Sequence, residues 1–165
     1  MSSIIRVDSV QTSTGGTATA SGLGIGGVGK IGQVLSTTIG SEQSTTSGTY
    51  ADISGLSQAI TPTSTSSKIL VQAEIAMDLR NGSGNTTLGS LKLLRDSTTL
   101  ETMNSFAQNN IGNGNPDKFK INGYHTFLDS PSSTSALTFK YQFIVDGGTL
   151  RIGVASKITL MEVLA

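Results

Sequence analysis

His125 is the chain's one histidine, and an imidazole is the side chain that ordinarily titrates near neutral pH. A serine-type hydrolase would need it beside a serine and a carboxylate, yet the sequence contains no Gly-x-Ser-x-Gly elbow. Its place between Tyr124 and Thr126, in an alternating stretch, reads instead as a packed or surface strand position. The carboxylates Asp52, Glu74, Asp78, Asp96, Glu101, Asp117, Asp129, Asp146 and Glu162 are spread singly. None shows the paired spacing of a calcium loop or of a glycosidase acid pair. No catalytic residue and no metal ligand set is therefore expected, and the chain reads as a non-enzyme.

Two glycine patterns imitate nucleotide sites. Gly22-Leu23-Gly24-Ile25-Gly26-Gly27 has the letters of a dinucleotide fingerprint, but that motif needs a preceding strand and a following helix to aim amide groups at a pyrophosphate. Gly24 to Lys30 nearly spells a phosphate loop, but Ile31 stands where a magnesium-binding Ser or Thr belongs. No cofactor is expected. With 11 basic and 11 acidic residues, scattered along the chain, there is no phosphate-tracking stripe, so nucleic acid is not an expected partner. The chain has no cysteine, so packing and hydrogen bonds must hold the fold. The first ten residues carry only a short apolar cluster around Arg6, too brief for a signal-peptide core, and no stretch reaches membrane-spanning length. Neither classical export nor membrane insertion is expected.

A low charged fraction of 13% beside abundant Gly, Ser and Thr favours strands and turns over helices. Residues 1–30 form one unit: a short strand-like piece, Ile4 to Val10, then a Gly/Ser/Thr/Ala run in which Leu23, Ile25 and Val28 stand alone. Such a run cannot build a core, so it reads either as a linker or as a segment that orders against a partner. Residues 31–165 read as an antiparallel β-sandwich domain of jelly-roll type. In Lys68 to Leu79 the residues Ile69, Val71, Ala73, Ile75, Met77 and Leu79 share one face; in Ala136 to Asp146 so do Leu137, Phe139, Tyr141, Phe143 and Val145. Further strands are predicted at 33–38, 49–53, 58–61, 87–95, 98–103, 123–128, 150–154 and 157–163. Most are separated by turn signals such as Asn81-Gly82, Arg95-Asp96-Ser97 and Gly147-Gly148.

Two features point outward. Leu70, Phe127, Ile144, Met161 and Val163, with Ala76 and Leu94, are apolar where polar residues are expected. The last strand is apolar on both faces, so a subunit interface is the economical cover. The segment Met103 to Lys118 reads as a loop rich in amides, with Asn104, Phe106, Asn109, Asn110 and Asn113. Such chemistry suits either a solvated loop or a contact with a host glycan or protein.

The opening Met1-Ser2-Ser3-Ile4-Ile5-Arg6-Val7-Asp8-Ser9-Val10-Gln11 resembles the start of small fibre, spike and decoration proteins of tailed bacteriophages, especially those of cyanobacteria. Ile53 to Pro62, Ser67 to Val71, Leu93 to Ser97, Phe127 to Pro131 and Ala155 to Glu162 are similar, in the same order, to a trimeric jelly-roll module of such proteins, related in shape to the C1q and tumour-necrosis-factor folds. The resemblance implies a homotrimer at the virion surface. An N-terminal segment, through Ile4, Ile5, Val7 and Val10, would anchor it to baseplate, tail or capsid proteins, and the β domain would project outward for host attachment. It also leaves open a capsid decoration protein of cement or head-fibre type and, further off, a fibre-borne polysaccharide depolymerase.

Overall fold

The computed structural model describes residues 30–81, 87–108 and 118–164. Within them, alternating side chains make ten strands: β1 (Lys30–Thr38), β2 (Gln43–Thr45), β3 (Ala51–Ile60), β4 (Lys68–Asn81), β5 (Thr87–Arg95), β6 (Thr98–Gln108), β7 (Lys118–Asp129), β8 (Leu137–Asp146), β9 (Gly148–Ile152) and β10 (Lys157–Leu164). One sheet has the order β1-β10-β4-β9-β2, with β7 added along the other side of β4; the second has the order β3-β8-β5-β6. Long β4 makes this possible, because β10 pairs with its first half, β9 with its second, and β7 with nearly all of it. The pairings are antiparallel, and the chain crosses repeatedly between the sheets, as a jelly roll does. The protein is all-β, an antiparallel jelly-roll sandwich.

The core lies between the sheets, and the alternating sets supply it. Ile69, Val71, Ala73, Ile75, Met77 and Leu79 of β4 are all buried against Leu137, Phe139, Tyr141, Phe143 and Val145 of β8, with Ile158 and Leu160 of β10 completing the layer. The two ends of the sandwich differ. Lys30 pairs with Leu164, Val163 with Lys68, and Ile69 with Asp129, so the chain enters β1 at the end that these residues share. At the opposite end Arg80 pairs with Lys118 and with Thr149. The connections at 82–86 and 109–117 leave from that far end.

The structure revises several boundaries. The pieces predicted at 49–53 and 58–61 are one strand, β3, whose register slips between Asp52 and Ser57. The slip is a bulge at Gly55, where φ is +80°, a backbone shape that costs glycine little and other residues more. Strand β2, too polar to show an apolar pattern, is held by backbone pairing to β9. The expected loop from Met103 begins later, because β6 continues to Gln108 and pairs Phe106 with Gly89. Asn104 and Phe106 therefore belong to a strand, and Asn109, Asn110 and Asn113 lie outside the described residues.

The tight turn after β8 depends on Gly148. Its φ is +132°, and a Cβ there would sit 2.4 Å from the Arg80 carbonyl oxygen and 2.8 Å from Thr87 Oγ1. Neither backbone nor turn can yield cheaply. Gly148→Ala should lower the unfolding free energy by about 2 kcal/mol or more, read from urea denaturation.

Candidate functional site

Antiparallel register puts directly paired residues on the same face of a sheet. On the outer face of the larger sheet, Val34 of β1 pairs with Met161 of β10, Met161 with Leu70 of β4, and Leu70 with Leu128 of β7. Four apolar side chains thus lie in one row across four strands. A second pair, Ile31 and Val163, adjoins it on the side of the chain's entry. Ile31 is 49% exposed, Val34 55% and Leu128 51%. Leu70, Met161 and Val163 are half-buried. The row is accordingly a contiguous apolar patch in contact with water, which monomeric proteins rarely leave uncovered.

The outer face of the smaller sheet is unlike it. There Asp52 receives hydrogen bonds from Lys140 at 2.8 Å and Gln142 at 2.7 Å, which hold its carboxyl below the ordinary carboxylate range. Lys92 sits 3.8 Å above the Tyr50 ring. This part of the face carries partnered charges, with Leu88 and Ile144 as its outward apolar side chains. The asymmetry between the faces makes the larger sheet the candidate interaction surface.

Of the five residues expected at an interface, Leu70, Met161 and Val163 come together in this patch, and the other two do not join it. Phe127 points to the inner side, packed against the core and stacked on His125 at 6.5 Å between ring centroids. Ile144 lies half-buried on the outside of the smaller sheet, opposite Ser90. Ile31, Val34 and Leu128 complete the patch and were not legible as members, since only the register joins them. The expected anchoring residues Ile4, Ile5, Val7 and Val10 lie outside the described residues.

His125 bridges three strands. Its Nδ1 lies 2.7 Å from the Tyr141 hydroxyl on β8, and its Nε2 lies 3.1 Å from a Glu101 carboxylate oxygen on β6. Burial, together with the Glu101 charge, raises the Tyr141 pKa far above its ordinary value, so the phenol stays protonated. This arrangement ties the edges of the two sheets together and leaves neither ring nitrogen aimed at a nucleophile. Tyr141→Phe keeps the packing but removes the hydroxyl's hydrogen bond to the half-buried His125 ring, and should cost about 1 kcal/mol of stability in urea titration.

A carboxylate is buried on the apolar side of β10. Glu162 follows Ile158 and Leu160 on the inward face and is fully buried. Its Oε1 accepts hydrogen bonds from the Thr63 amide at 2.6 Å and the Thr63 hydroxyl at 2.7 Å, and its Oε2 accepts one from Gln33 Nε2 at 2.8 Å. Burial alone would raise its pKa, but the donors outweigh it and hold the group at about 2. The carboxylate pins β1, β10 and the 61–67 connection together directly behind the apolar patch. Near it, Arg95 bonds Asp129 at 2.6 Å, joining the two sheets at the same end. Among the described residues, no three His, Cys, Asp or Glu side chains gather as a metal site would require.

No known protein-family profile and no curated protein matches this chain. Distant likenesses appear among solved structures. One is a chain of the infectious bursal disease virus Gt strain, 13% identical with a TM-score of 0.42, covering 97% of this chain and 38% of the other. A second, of the Gx strain, is 11% identical with a TM-score of 0.43, covering 98% and 43%. A third is dimeric latent PorU from Porphyromonas gingivalis, 9% identical with a TM-score of 0.36, covering 83% and 11%. This chain spans less than half of each of those chains, and at such scores the likeness assigns neither partner nor activity.

Proposed function

We propose that the chain is a non-enzymatic structural protein of a bacteriophage particle, a trimeric fibre or spike that works by binding and multivalent display. The observation that carries this reading is the exposed row Val34–Met161–Leu70–Leu128, which a lone subunit leaves in water and which neighbouring copies would cover. The ends of the sandwich support it as well. Residues 1–29 join at the end that bears the apolar patch, whereas the connections at 82–86 and 109–117, the second of them amide-rich, leave from the opposite end. In this reading the first end is the anchored base and the opposite end the outward tip. Weak host contacts repeated across three copies and many fibres then add through effective concentration. The His125 bridge serves packing in this reading, and no side chain is given a catalytic role.

Gold-labelled antibody against the β domain, applied to intact purified particles, tests the reading. Label at the tail or its fibres is the expected result. Label spread over the head would replace the fibre with the capsid decoration protein that the same resemblance implies. Particles that carry no label, while the protein is abundant in the infected cell, would overturn the virion assignment.

A further inference from the structure

The outer face of the larger sheet is apolar at only one end. Four residues further along β10, about 13 Å at the usual rise per residue, Lys157 pairs with Glu74 of β4, and Glu74 with Tyr124 of β7. The neighbouring row is Thr159, Gln72 and Thr126. These side chains border a cleft of about 190 Å³. Tyr124 stands at its edge and is 76% exposed, the most exposed of the large apolar residues described. Lys157 Nζ lies 3.1 Å from Glu74 Oε2, and the Tyr124 hydroxyl donates to Glu74 Oε1 across 3.4 Å. The carboxylate is thus held in one orientation, and its charge is matched by the ammonium.

We infer that this cleft is a binding subsite for a single neutral pyranose ring of a glycan. An exposed aromatic face offers a flat apolar platform for the C–H face of a sugar. Around it stand a carboxylate, an amide, two hydroxyls and an ammonium, a mixture of donors and acceptors that suits vicinal hydroxyls. The internally balanced Glu74–Lys157 pair gives no net charge to attract an acidic sugar. The cleft is smaller than the roughly 300–1,000 Å³ of pockets for drug-sized ligands, which limits it to about one ring. The site lies apart from the apolar row and from the amide-rich connection, so it does not depend on the assembly reading.

The test is a titration of the full-length protein with methyl glycosides of glucose, galactose, mannose and N-acetylglucosamine, followed by amide chemical shifts. At least one should bind with a dissociation constant on the order of millimolar, moving signals of residues 72–74, 124–126 and 157–159. Tyr124→Ala should weaken that binding about tenfold, and Tyr124→Phe, which keeps the ring, should retain most of it. Because Tyr124 is exposed, both variants should fold, as their unshifted core amides would report. Absence of binding by all four glycosides, shifts confined to other residues, or full binding by Tyr124→Ala would each overturn the assignment, whatever the oligomeric state proves to be.

Discussion

Glu162→Gln should destabilise the protein by about 2–4 kcal/mol at neutral pH, because an amide nitrogen would then face donors that now converge on a carboxylate. The group is fully buried, and the Thr63 amide, the Thr63 hydroxyl and the Gln33 amide all point hydrogens at it. Its pKa is about 2 in the folded chain against an ordinary 4.5. A lowered folded-state pKa means stability that is fully present above the unfolded value and lost as pH falls toward the folded one. The wild type should therefore lose on the order of 3 kcal/mol from this group between about pH 5 and pH 2. In Glu162→Gln that part of the profile should flatten. Urea denaturation of both proteins across that range checks it, and parallel profiles would show that the carboxylate does not hold β1 to β10.

Met161→Arg should act on assembly and leave the fold nearly untouched. Met161 occupies the middle of the apolar row, half-buried, with Val34 on one side and Leu70 on the other. A guanidinium there can reach water in a lone subunit, so the cost to folding should stay below about 1 kcal/mol. In an interface the same charge would be desolvated without a partner, costing about 2–4 kcal/mol at each contact. Sedimentation of the variant should therefore give a folded monomer. Thr102→Arg, on the exposed face of β6 in the other sheet, should sediment as the wild type does.

The strands that position these groups were readable where burial is one-sided. β4 and β8 bury every second residue, so alternation alone locates them and their inward faces. β3 reads as two pieces because the Gly55 bulge breaks its phase, and β2 is invisible because Gln43, Ser44 and Thr45 carry no apolar signal. Leu70, Met161 and Val163 stood out because each interrupts an alternation. Val34 and Leu128 did not, since their significance comes from pairing across strands, a long-range property that no local pattern holds. Phe127 illustrates how a one-residue error in phase moves a side chain to the opposite face. Glu162 could have been found by parity, as the carboxylate that continues the buried series Ile158 and Leu160. The bond from His125 to Tyr141 could not, because it joins strands from different sheets.

Native mass spectrometry of the full-length protein bears most directly on the idea that the apolar end of the larger sheet's outer face is a contact between copies. A mass of three times the 17.0 kDa chain, falling to a single chain in Met161→Arg, is the predicted result. A wild type that stays a well-folded single chain at high micromolar concentration would mean that Val34, Met161, Leu70 and Leu128 rest in water, and would contradict the account.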